Sequence, residues 1–212
     1  PAAAPAAPSL ALLSVASSLS PFGMIVVVPT LAAVSARFSL GHGQAQYLIA
    51  TYLFGLGVGQ PLAGAISDRV GRARPIVLGT LLVATITPFA IVVPALWLVA
   101  AVLFLVGFGE GSMEAPALPL LAESTGGERE GDAPAHYGAV YALFDTAFGL
   151  GALFGPLTGG FVAEILDLRT ALFTYSGVLA VFVPFLWLRI RSFDRRAGTE
   201  VERVPARHAA GP

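Results

Sequence analysis

The sequence predicts an all-α fold inserted in a membrane: a polytopic bundle of six transmembrane helices. Three observations carry this expectation. The chain of 212 residues is 56% hydrophobic and only 12% charged, whereas soluble domains carry about 25% charged residues. Charge is absent from Phe38 to Ser67 and again from Pro75 to Gly109. Between these runs stands Gly64-Ala-Ile-Ser-Asp-Arg-Val-Gly-Arg-Ala-Arg74, a short and densely charged break. In a bilayer each apolar run must be helix, because a helix satisfies its own backbone hydrogen bonds. The break then forms a tight loop at the membrane surface.

The elements follow in order. Pro1 to Pro8 is a Pro/Ala tract without the basic start of a signal peptide, and is expected to be a flexible N-terminus. Residues 9–190 form the bundle. Ser9 to about Val34 is the first span, long enough to cross a hydrocarbon core of ~30 Å, with bends expected at Pro21 and Pro29. Gln44 to Ile66 is the second, where Gly55, Gly57 and Gly59 make a thin wall suited to close packing. Pro75 to Ile91 is the third, closed by a turn at Val93-Pro94, and Leu96 to Leu121 is the fourth. Glu123 to Ala135 is a polar loop. His136 to Val162 is the fifth span, Glu164 to Arg169 a turn, and Thr170 to Leu188 the sixth span. From Arg189 the chain turns arginine-rich, and residues 191–212 are expected to form a disordered cytoplasmic tail.

Arginine position orients the bundle. The Gly64–Arg74 loop, Arg129 and the tail from Arg189 fall on one side, while only Arg37 and Arg169 fall on the other. The positive-inside bias places both termini in the cytoplasm. All twelve basic residues are arginine, and Ala, Gly and Pro are abundant, a composition that fits a GC-rich bacterial genome and hence a bacterial inner membrane. Lipid is therefore one expected partner. The absence of cysteine excludes disulfides, thiolate chemistry and cysteine metal sites. No phosphate-binding loop, nucleophile paired with a base or metal-ligating cluster occurs, so no enzyme activity, cofactor, metal or nucleic-acid partner is expected.

Acids inside spans are costly, about 2.5–3.5 kcal/mol each on insertion scales, so each is read first as functional. Glu110 and Glu114 lie four residues apart on nearly one helix face. Asp145 lies in the fifth span, with Tyr141 and Tyr137 one and two turns earlier. No arginine stands within a span to pair with them, so these carboxyls are suited to carrying protons or to trading a proton for a cationic substrate. The alternative for each is a structural acid held by hydrogen bonds. Along the fifth span Ala147, Gly151, Gly155 and Gly159 recur every four residues as one ridge, with Pro156 and Gly160 beside it. Asp145 points about 200° away from Ala147, so one face packs while the other is free to line a cavity.

Within the charged break, Gly71 permits the tight turn. Asp68 sits at a helix C-terminus, where the macrodipole disfavours an anion, and needs an arginine or another helix N-terminus as partner. A contact made in one conformation and broken in another would act as a latch; the alternative is a static anchor. Gly64, Asp68, Arg69, Gly71, Arg72 and Arg74 resemble the loop between the second and third helices of the major facilitator superfamily, departing from its pattern at Ala73.

Gly151, Gly155, Pro156, Gly159 and Gly160 resemble the glycine-proline motif of drug/proton antiporters in that superfamily. The run Gly107 to Pro119, with Tyr137 to Asp145 and Gly155-Pro156, resembles the tenth and eleventh helices of vesicular amine transporters. Pro21 to Pro75 looks more like the opening helices of bacterial multidrug/proton antiporters. The resemblance implies a secondary transporter, with Glu114 and Asp145 as proton-coupling residues and no counterpart for Glu110. It implies a small-molecule substrate, cationic or amphiphilic, moved by exchange or efflux. Because six spans are half of the family's usual fold, it implies a second six-helix bundle: another copy, a different chain or further sequence. The alternative is a non-transporting scaffold or accessory subunit of a larger membrane complex.

Overall fold

A computed structural model describes residues 29–124 and 133–208, without the side chains of His42, Ala73 and residues 122–124, 133–137 and 189–208. The Pro1–Pro8 tract, the first span up to residue 28, most of the polar loop and residues 209–212 lie outside the described residues, as do the side chains of His136 and Tyr137. The described residues are helical, without strands. They form α1 (residues 29–38), α2 (His42–Val70), α3 (Ala73–Ile86), a 3-10 turn (Thr87–Ile91), α4 (Leu96–Ser124), α5 (Ala133–Ile165) and α6 (Leu168–His208). Among the described residues, five stretches are long and apolar enough to cross a membrane: Gly43–Val70, Arg74–Ile91, Leu96–Leu121, Gly138–Ile165 and Leu168–Leu188.

Boundaries moved where local chemistry differs from the apolar pattern. The third span is not one continuous α-helix: α3 stops at Ile86 and Thr87–Ile91 tightens into a 3-10 turn. Pro88 lacks the amide needed to continue the α ladder, and the Thr87 hydroxyl donates to the Val83 carbonyl at 2.7 Å beside the break. α2 carries Pro61 inside it and runs past Ile66 to Val70, where Gly71 closes it with φ 89°. There the Gly71 amide donates to the Ser67 carbonyl at 3.0 Å; a side chain at that φ is strained, which is why glycine holds this position. α6 continues through the expected end at Leu188 to His208, with Pro184 and Pro205 inside it.

α4 is the central helix, packed most extensively on α2 and then on α3, while α3 also packs on α6. In a membrane this packing rests on van der Waals contact and hydrogen bonds between helices, since lipid tails are as apolar as the side chains. One core joins Val34, Leu48, Tyr52, Val83, Val99, Leu103 and Leu179; a second, toward the charged loop, joins Ile76, Val77, Leu120, Leu121, Val140 and Leu186.

The α2–α4 contact is made by reciprocal glycines. A methyl group on Gly55 or Gly59 would strike the carbonyl oxygen of Phe104 or Phe108, and one on Gly107 or Gly111 would strike that of Tyr52 or Leu56. The register increases together on both helices, so α2 and α4 run parallel although α3 separates them in sequence. Gly57, by contrast, faces open space. Gly109 on another face of α4 meets Gly79 of α3 in the same way.

Candidate functional site

The glycine seam brings the acids of α4 against α2. Glu110 lies one turn beyond Val106 in the densest part of the bundle and is 1% exposed. The Tyr52 hydroxyl of α2 donates to Glu110 Oε2, while Glu110 Oε1 is buried without a hydrogen-bond partner. One turn further, Gln60 Nε2 donates to Glu114 Oε2 at 2.9 Å; Glu114 is half-buried. Buried Tyr175 of α6 lies in the same core cluster as Tyr52. Tyr52, Gln60, Glu110, Glu114 and Tyr175 thus form one polar seam through three helices. A buried carboxyl with one satisfied and one open oxygen is chemically suited to exchange a proton or accept a further donor.

Asp145 and Tyr141 occupy a different place. Both are exposed on α5, and among the described residues neither hydrogen-bonds to the seam. The ridge behind them is turned inward: Ala147, Gly151 and Gly155 are buried with Val140, Gly159 and Gly160 are half-buried, and Pro156 is exposed. α5 therefore shows two outward faces. Leu150, Phe154, Leu157, Phe161 and Ile165 make a bulky apolar one, and Gly138, Tyr141, Asp145, Gly149, Ala152 and Pro156 a small and polar one.

The charged loop sits at the α2–α3 junction. Gly64 is half-buried and accepts the Ser67 hydroxyl at 2.8 Å. Asp68, Arg69 and Arg74 are exposed, Arg72 is half-buried, and among the described residues Asp68 has no hydrogen bond or ion pair. At the other end of the bundle, Asp167 starts α6. Its carboxylate accepts the Thr170 amide at 2.7 Å and the Thr170 hydroxyl at 3.1 Å, and these bonds, with the nearby Arg169, hold it below the ordinary carboxylate range.

Sequence reasoning marked Glu110 and Glu114 but missed Tyr52, Gln60 and Tyr175 as their surroundings. The available signal was weak: Gln60 is the one amide between Gln46 and Gly109, inside a run without charge. Pairing it with Glu114 requires knowing that two non-consecutive helices are neighbours.

A family model described as Major Facilitator Superfamily matches residues 13–210. The chain is 27% identical over 194 residues to the rat MFS-type transporter SLC18B1, across 83% of this chain and 43% of that protein. It is 39% identical over 107 residues to the class C tetracycline resistance protein of Escherichia coli, across 50% of this chain and 24% of that protein. The MFS-type transporter traF of Penicillium crustosum is 30% identical over 147 residues, 69% of this chain and 29% of that one. The chain thus spans less than half the length of these relatives. Among solved structures, the peptide transporter POT in complex with sulfate superposes with a TM-score of 0.70 over 95% of this chain and 44% of that one, at 16% identity. That likeness is one of fold.

Proposed function

The chain belongs to the Major Facilitator Superfamily, and from that premise we propose that it forms one bundle of a secondary active transporter exchanging protons for a cationic or amphiphilic small molecule. The observation that carries this reading is the set of acids inside the spans. The donors found on Glu110 and Glu114 are a phenol and an amide, and Arg74 marks the entry of a span rather than its middle. Carboxyls placed inside the spans at a helix seam are suited to exchange a proton. Glu114 and Asp145 carry the coupling, Tyr141 lies on the substrate side of Asp145, and Glu110 stores a proton behind them. Relatives named for tetracycline resistance and for MFS-type transport support a small-molecule cargo.

Alternating access requires a second wall, since substrate binds between two bundles near the midplane. The small and polar face of α5 and the opposite-facing Gly57, Pro61 and Gly64 stripe of α2 are where that wall docks. Asp68, without a partner among the described residues, takes its partner there and serves as the latch, with Arg69, Arg72 and Arg74 around it. Arginine distribution supports placing this assembly in a bacterial inner membrane with both termini cytoplasmic. The test is gradient-driven uptake into proteoliposomes. Glu114→Gln and Asp145→Asn each lower gradient-driven accumulation at least tenfold while downhill exchange persists. Unchanged accumulation in both variants would reject the assignment.

A further inference from the structure

At the end of the bundle opposite the Gly64–Arg74 loop, α3, its 3-10 turn and α6 enclose an open groove of about 360 Å³. Its wall is almost wholly apolar, with exposed Phe89, Val92, Phe173, Gly177 and Ala180 along its sides and buried Ala84, Pro88 and Ser176 at its base. Three features make it more than a crease between helices. First, Ser176 lines the groove with its side chain 7% exposed, and its hydroxyl is buried without a hydrogen-bond partner. Other described hydroxyls, such as those of Thr80, Thr85, Thr87 and Ser112, return to the carbonyl one turn earlier. Second, Arg169 stacks on the rim, its guanidinium carbon 5.9 Å from the Phe173 ring centre, and makes no salt bridge among the described residues. Third, Arg37 donates to the Ile91 carbonyl at 2.5 Å, beside Val92 of the opposite rim. The two arginines that the positive-inside pattern leaves on this end of the bundle therefore both flank one groove.

We propose that this groove binds one anionic phospholipid of the adjacent leaflet, with an acyl chain against Phe89, Phe173, Gly177 and Ala180 and the phosphate at Arg169 and Arg37. Ser176 lies seven residues along α6 from Arg169, about 10 Å deeper at 1.5 Å per residue. A phospholipid matches this layout because it carries an anion at the surface, ester carbonyls that accept a hydrogen bond below it, and hydrocarbon beneath.

The experiment is native mass spectrometry of the chain released from nanodiscs containing equal phosphatidylglycerol and phosphatidylcholine. The wild type retains a single phosphatidylglycerol in at least tenfold preference. Gly177→Leu fills the groove from its exposed side, where an added side chain meets nothing within 4 Å, and abolishes retention with the melting temperature of the lipid-free protein unchanged. Should that variant fold poorly, Arg169→Gln at an exposed position reduces retention about tenfold and Ser176→Ala several-fold. Equal retention of the two lipids, or full retention by the Arg169→Gln variant, overturns the proposal. So does efficient crosslinking between copies through Gly177→Cys, which would identify a second copy as the occupant.

Discussion

Glu110 shows how a membrane interior uses a side chain that water would have solvated. Its Oε2 is held by the Tyr52 hydroxyl and its Oε1 is left open, so the Tyr52 bond is what keeps the acid tolerable. Tyr52→Phe removes that donor while preserving ring packing. Loss of a buried polar partner costs ~1–3 kcal/mol, and thermal unfolding in detergent should report a loss of that size. Asp167 behaves differently because it is exposed at a helix start. Its carboxyl is held below the ordinary range by Thr170, so its contribution to stability is present above the unfolded-state value near 3.9 and disappears as pH falls through the lower folded-state value. Asp167→Ala should therefore lower the melting temperature at pH 7, and the gap to wild type should close in strong acid. At this scale the sequence was informative about charges and silent about their neighbours. A carboxylate in an apolar run is conspicuous; Tyr52 and Gln60 gain meaning only when α2 is laid against α4.

Elements were legible wherever composition alone decides them. Five of the predicted spans recur as helices of membrane-crossing length, and Gly71 ends α2 as its place in the charged break implied. Less legible was which glycine does what. Gly55, Gly57 and Gly59 read alike in sequence, yet Gly55 and Gly59 meet α4 backbone while Gly57 faces outward. Helical period separates them only once the partner helix is known. The difference is measurable. Gly107→Val drives a branched side chain into the Tyr52 carbonyl, and overpacking of this kind costs ~1–3 kcal/mol or more, so the purified variant should lose its single size-exclusion peak. Gly57→Ala should melt within about 0.5 kcal/mol of wild type, as substitutions in open positions do. The 3-10 turn at Thr87–Ile91 was hidden for a different reason: Pro88 lies inside an apolar run whose hydropathy never changes.

Across the whole molecule, burial is uneven in a way that no single helix explains. Within their most apolar windows α3 and α4 are each 56% buried, whereas α2 and α5 are each 22% buried. Those two least-covered helices carry the small-residue faces and Asp145, and α2 ends at Asp68, which has no partner among the described residues. On the proposed reading these are the faces on which a second bundle seats. Transport-competent material should accordingly behave as a pair of bundles on solubilisation, and an active species with one bundle would contradict that arrangement. The central claim, however, concerns protons. In proteoliposomes with equal pH on both sides, an imposed gradient of a transported organic cation should drive protons the opposite way, seen as a change in lumenal pH that a protonophore dissipates and that Asp145→Asn abolishes. Cation movement with lumenal pH unchanged would contradict the account.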